Sequence, residues 1–341
     1  VVGIVNRKSI IELHCKKIFS TIAKQCFTGT CYFLFLLAEN ADLMISYNPK
    51  EWFTFIFHFH KSDTFRTLLP MIIAISLYSG VVSWIEVGFL KMENDSKLKN
   101  LSIMHSLLTF VISALLVFRT NTAYDRWWEG RKLWGSLVNN SRNLAMKLNA
   151  ILPSTQNTER SFFATMIPNY SFALKNHLRN TVHAEEMEAN DLFNAHELKH
   201  DQHNPNYIAK KIYQQIEELH RNKTITDQHL VYLNSELMSF TDNCGACERI
   251  KNTPIPYSYS LFLKKFIFFF VMSLPLTLVF SLGYFCIPVV AFIFYVLTSM
   301  ELIAEEIEDP FGKDSNDLPT DSISKNIRKH VHEIFGYQAK P

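Results

Sequence analysis

The chain has 341 residues, of which 48% are hydrophobic and 19% charged, and its formal net charge is +2. So even a balance argues against a nucleic-acid partner, and no basic domain stands out. The six cysteines, Cys15, Cys26, Cys31, Cys244, Cys247 and Cys286, lack the density of a secreted disulfide scaffold and read as reduced thiols.

Residues 1–43 carry scattered lysines and a short apolar patch at 31–38. The patch is shorter than the ~20 residues that a spanning helix needs, and a secretory signal fits poorly because no clear cleavage site follows. The expectation is an amino-terminal extension, with the functional protein beginning at Met44. Residues 51–66 set aromatic rings beside His58, His60 and Lys61, which suits a segment lying in a membrane interface. Residues 68–85 form the first spanning candidate, 90–100 a polar connection, and 101–118 the second span. Eighteen helical residues rise ~27 Å, close to the hydrocarbon thickness of a bilayer.

Past Phe118 the chain turns abruptly to arginine and indole, with Arg119, Arg126, Trp127, Trp128, Arg131 and Trp134 close together. No proline interrupts 101–152, so one helix is expected to leave the bilayer and continue in water to Pro153. Tyr124, Trp127, Trp128, Arg131 and Trp134 recur at three- and four-residue steps, which predicts a shared face. From there to about Pro256 the composition is polar. Within it, Ile208, Ile212, Ile216 and Leu219 mark an amphipathic helix. Leu230, Leu233, Leu237, Phe240, Cys244 and Cys247 alternate three and four apart, a heptad seam against another helix. Residues 266–285 supply a third apolar run with a kink expected at Pro275. Gly283 and Pro288 then punctuate a fourth run to Ile303, which predicts a tight helical hairpin. The fold expected is all-α: a polytopic membrane protein with four transmembrane helices and both termini on the cytoplasmic side. Its parts are an extension (1–43), an interfacial segment with two spans (44–119), a helical cytoplasmic region (120–256), two more spans (257–304) and an acidic carboxy-terminal segment (305–341).

Three motifs carry a family resemblance. An apolar helix ends in Phe118-Arg119 and continues as N-x-A-Y-D-R-W-W-E-x-R-x-L-W-G from Asn121 to Gly135. Residues 247–256 read CERIKNTPIP, and 308–312 read EDPFG. In this order, over roughly residues 44–338, the chain resembles the bacterial branch of the bestrophin ion channels. The resemblance implies a homo-pentamer in the bacterial plasma membrane whose second spans line one axial pore. It also implies passive conduction of small monovalent ions, chloride and other anions first, with a sodium-type cation channel of the same fold as the alternative.

Phe110, Ala114 and Phe118 lie at four-residue steps along one helix face, a pattern that by itself suits helix packing in lipid. The resemblance makes them a hydrophobic pore neck, where an apolar ring gates by dewetting. Ala114 departs from the bulky residue usual there. Ile255, between Pro254 and Pro256, matches the cytoplasmic aperture of the family; the plain alternative is an entry turn to the third span. Residues 301–317 hold seven carboxylates: Glu301, Glu305, Glu306, Glu308, Asp309, Asp314 and Asp317. Clustered acids on a turn either bind a hard cation or form a solvated rim. In animal bestrophins the matching stretch is a calcium clasp, which assigns calcium to Asp309, Asp314 and Asp317. Here Lys313 replaces an acid and Asp309 an asparagine, and bacterial relatives generally work without calcium. No cofactor is otherwise required.

Two other classes compete with a channel. His196-Glu197-Leu198-Lys199-His200 fits the zincin pattern H-E-x-x-H of a membrane zinc metalloenzyme. Five histidines between 177 and 203 make such spacing easy by chance, and the surroundings are polar. Cys244 and Cys247 resemble half a redox or zinc motif, but both fall on the heptad seam and read as packing. The seam could also serve a membrane-anchored scaffold that recruits a partner.

Overall fold

The structure is a computed structural model, and it describes residues 64–89, 101–194 and 197–337. The extension (1–43), the interfacial segment up to residue 63 and the connection 90–100 lie outside the described residues. Nine principal helices follow one another among those described: α1 (Thr64–Ser83), α2 (Leu101–Ile151), α3 (Asn157–Leu178), α4 (Asn204–Arg221), α5 (Asp227–Asn252), α6 (Tyr257–Ser273), α7 (Pro275–Leu282), α8 (Cys286–Glu308) and α9 (Thr320–Phe335). No strand occurs among the described residues.

Three helical stretches are long and apolar enough to cross a membrane: Thr64–Gly88, Ser102–Ile151 and Tyr257–Glu308. The last is folded back on itself. The helix breaks at Pro275, whose ring and missing N–H disrupt the ladder. It then turns at Gly283, whose φ of 53° suits a residue without a Cβ. Lys264 near the start of α6 pairs with Glu305 near the end of α8 at 2.8 Å, so the two arms run antiparallel. In α1 a π-helical turn, Trp84–Phe89, extends the helix to its described end.

Helix α2 spans 51 residues, ~76 Å at 1.5 Å per residue. In its apolar half, several hydroxyls are satisfied by the helix's own carbonyls. Thr109 donates to the His105 carbonyl, Ser113 to Thr109, and Thr120 to Leu116, as an apolar setting requires.

Two cores hang on this rod. The first joins Ile75 of α1, Ile112 and Leu116 of α2, Leu263, Ile267 and Phe270 of α6, and Val290 and Phe294 of α8. Cross-links tie these apolar helices together: the Tyr78 hydroxyl donates to the Met272 carbonyl at 3.0 Å, and the Tyr259 hydroxyl to the Leu115 carbonyl at 3.1 Å. The second core is built around α3, which is buried from Phe162 to Asn176. It is enclosed by the polar-side half of α2 and by α4, α5 and α9.

The amphipathic reading of 207–219 holds. Ile208, Ile212, Ile216 and Leu219 are all buried in α4. The seam of α5 also packs inward through Leu233, Leu237, Phe240, Cys244 and Cys247, after a capping box at Thr226 and His229. The shared aromatic face of α2 is the expectation that needs correction. Tyr124, Trp127 and Trp128 do stack, with centroids 6.2 to 6.5 Å apart. Trp134, however, turns away and is fully buried in the second core. Its large apolar ring is drawn there because α2 has by that point left the apolar bundle and packs on α3 and α5.

Candidate functional site

Helix α2 has two opposed faces where it is apolar. His105, Ile112, Leu116, Arg119 and Ala123 are buried against the chain's own helices. At 100° per residue, Phe110, Ala114 and Phe118 point roughly the other way. Phe110 is 77% and Phe118 67% exposed, and Ala114 is partly exposed. Large apolar rings facing away from the parent fold mark a face meant for lipid, another copy or a conduit. His105 sits on the packed side, 2.8 Å from the Ser273 hydroxyl and against the Phe270 ring.

At the end of the apolar half, Arg119 is 1% exposed. Its Nη1 lies 2.7 Å from Glu308 Oε2 and its Nε 3.4 Å from Glu301 Oε2. The same Glu308 accepts the Ile255 backbone N–H through Oε1 at 2.6 Å. One carboxylate therefore joins α2 to the turn that carries Ile255, whose side chain is partly exposed between the two prolines. Two helical turns further on, Arg126 donates to the carbonyls of Ile250 and Thr253 at 2.6 Å each and of Glu308 at 3.0 Å. A guanidinium is thus shared by the carboxyl ends of α5 and α8, where unpaired carbonyls carry partial negative charge. Both arginines are committed to partners within the chain rather than to their helix neighbours, and Glu129 pairs with Arg249.

The acidic turn follows α8. Phe311 is buried beside Gly130 of α2, where an added Cβ would meet its ring at 3.2 Å. The Trp127 indole donates to the Asn316 carbonyl at 2.9 Å, and Arg179 donates to the carbonyls of Phe311 and Gly312. These contacts press the turn onto α2 and α3. Asp309 and Asp314 are exposed, whereas Asp317 is 4% exposed. Asp317 Oδ2 accepts the Asp314 N–H at 2.6 Å, and its Oδ1 is buried with no hydrogen-bond partner among the described residues. Burial pushes its carboxyl from the ordinary 3.8 up to about 7, against the Asp314 N–H, and the charges of Asp314 and Asp309 push the same way.

The zincin pattern is only partly visible, because His196 lies outside the described residues. Glu197 receives the Tyr207 hydroxyl, and His200 is exposed. Cys244 and Cys247 are buried thiols. Burial raises both out of the reactive range, Cys244 to about 12. Packing is what they do.

The Bacterial/Fungal Bestrophin protein family matches residues 44–333. The chain belongs to the bestrophin family. Two of its bestrophin relatives carry the name voltage-dependent anion channel-forming protein. The one from Nostoc sp. is 36% identical over 232 residues, covering 66% of this chain and 75% of its own length. The one from Escherichia coli strain K12 is 34% identical over 230 residues, covering 65% and 73%. A crystal structure of a bacterial bestrophin homologue from Klebsiella pneumoniae superposes with a TM-score of 0.70 at 27% identity, over 80% of this chain and 100% of that one. The all-helical membrane fold expected from the sequence is thus the bestrophin fold, and the relatives are named as channels rather than enzymes.

The sequence reading missed the Arg119–Glu301–Glu308 cluster. A signal was present: Arg119 ends one apolar run and Glu301 interrupts another, where an ionised group requires a partner.

Proposed function

We propose that this bestrophin is a channel for small monovalent anions such as chloride. The chain crosses the bacterial plasma membrane four times with both termini in the cytoplasm, and five copies surround one pore. The observation that carries the reading is the outward, exposed line of Phe110, Ala114 and Phe118 on a helix whose opposite face is fully packed. Five such faces turned to a common axis make a hydrophobic neck that opens by wetting. Ala114 leaves the middle ring wider, so the two phenylalanine rings form the seal. Ile255 forms a second, cytoplasmic constriction, held by the Glu308 carboxylate. The relatives' names, as anion channel-forming proteins, support anions as the permeant species.

Reconstitution into planar bilayers under asymmetric potassium chloride tests this directly. The reversal potential should move toward the chloride equilibrium potential. A shift toward the potassium potential would assign a cation channel of the same fold, and vesicles tight to all small ions would overturn conduction altogether.

Asp309, Asp314 and Asp317 offer calcium hard oxygen donors, and Asp317 Oδ1 is buried with no hydrogen-bond partner among the described residues. The three carboxylates do not converge as they stand, so an ion would have to draw them together. Bound calcium would supply charge that neutralises these carboxylates and locks the turn. Without it, folded Asp317 keeps a proton that the unfolded chain releases between about pH 4 and 7, so its stabilising contribution is lost as pH rises through that window. Asp317→Asn is therefore expected to raise the melting temperature at about pH 8 more than at about pH 4.5. At the higher pH calcium should raise the melting temperature of the parent but not of the variant. A parent indifferent to calcium would remove the ion from this turn.

A further inference from the structure

Outside the ion pathway, one side-chain cluster has the donors of a metal centre. Among the described residues, His177, His203 and Glu248 are the group of three whose ligand atoms all lie within 4.8 Å of one another. Glu248 Oε1 is 2.6 Å from His177 Nε2 and 2.8 Å from His203 Nε2. The two imidazole centroids are 4.4 Å apart.

We propose that His177, His203 and Glu248 bind a divalent transition-metal ion of the zinc class. Two imidazole nitrogens and a carboxylate oxygen form a donor set suited to borderline ions such as zinc or cobalt, and unsuited to calcium or magnesium, which prefer all-oxygen shells. Three ligands from the protein leave a coordination position for water, as in open zinc sites. The three side chains are between 28% and 34% exposed, so an ion has a route in from solvent. Lys251, the neighbouring ammonium, is committed to the His177 carbonyl at 3.2 Å and to Asn180 Oδ1 at 2.6 Å, and leaves the Glu248 oxygen to the histidines.

The placement gives the ion a structural consequence. His177 lies in the last turn of α3 and His203 immediately precedes α4. Between them the described residues are mostly irregular, and Glu248 stands on α5. An ion here closes both ends of that stretch onto one helix, a constraint that removes chain entropy.

The Asn206 N–H donates to His203 Nδ1 at 3.2 Å, which leaves Nε2 to carry the ring proton, toward Glu248. Metal binding replaces that proton on Nε2, moves a proton to Nδ1 and releases the Asn206 cap. The site is thereby a hydrogen-bonded triad that the ion converts, with the histidine–carboxylate contacts opening to ~3.3 Å, the spacing of ligand atoms around a tetrahedral ion.

Cobalt titration of the purified, chelator-treated full chain tests the site, independently of whether the pore conducts. One cobalt per chain with the visible absorption of low-coordinate cobalt, displaced by zinc, is expected. Since even an outer-shell change costs 10–100-fold in metal affinity, Glu248→Gln and His177→Ala should each weaken binding by about 100-fold or more. His200→Ala should leave it unchanged. X-ray absorption at the zinc edge of the parent, which needs no variant to fold, should show a nitrogen–oxygen shell with two imidazoles. A parent that takes up no cobalt, a shell without imidazole, a folded Glu248→Gln that binds as well as the parent, or loss of binding in His200→Ala would each overturn the site.

Discussion

Alanine at both Phe110 and Phe118 is expected to raise the single-channel conductance by at least about twofold and to weaken any voltage- or ligand-dependent closure, because the apolar rings that expel water are gone. Both side chains point away from the chain's own core, at 77% and 67% exposure. The double variant should therefore fold and melt nearly as the parent does, within about 0.5 kcal/mol per site within one subunit. The contrast lies two residues away. Ile112 and Leu116 are 1% and 5% exposed, in the core shared by α1, α2, α6 and α8. Alanine there should cost about 2–5 kcal/mol each through lost burial and residual cavity, and leave unit conductance close to normal. Single-channel recording beside thermal melting separates the two faces. If the double phenylalanine variant conducts like the parent, the neck assignment fails. If Ile112→Ala raises conductance instead, α2 is rotated relative to the pore axis.

Removing Arg119 should be the most destabilising single change in the apolar half of the protein. Its guanidinium is 1% exposed and stands between Glu301 and Glu308 at 3.4 and 2.7 Å. Arg119→Ala leaves two acidic groups crowded together without their cation, a loss of about 3–5 kcal/mol for breaking a buried pair. The effect should reach Ile255, because the carboxylate freed from Arg119 is the one that holds its N–H. Replacing the whole cluster is a different experiment. Arg119→Met with Glu301→Gln and Glu308→Gln removes every charge at once and should recover much of the stability. Melting curves of the single and triple variants in detergent decide the matter. A triple variant no better than Arg119→Ala would mean that shape, not charge, is what the site needs.

Much of the architecture could be read from the sequence, since the signals involved are local. The seam Leu233–Leu237–Phe240–Cys244–Cys247 and the stripe Ile208–Ile212–Ile216–Leu219 recur at helical spacing, and both are buried as that spacing demands. Pro275 and Gly283 announce a kink and a reversal because one lacks an N–H and the other a Cβ. The motif from Phe118 to Gly135, with CERIKNTPIP and EDPFG, carries the family. The shared face of Phe110, Ala114 and Phe118 was equally visible, because residues at steps of four on one helix lie together; its reading as a neck came from the resemblance alone.

What escaped the sequence are the pairings between distant segments. Arg119 meets Glu308 from 189 positions away, and Arg126 reaches the Glu308 carbonyl across 182. His203 meets Glu248 only because α4 and α5 fold back beside the end of α3. Trp134 is an interfacial aromatic by composition and a core residue by position. Helix formation and membrane partition are decided within a few turns by hydrogen bonding and side-chain solvation, which the order of residues specifies directly. Which ionised group finds which partner is decided by where whole helices come to rest, and that depends on packing summed over the molecule.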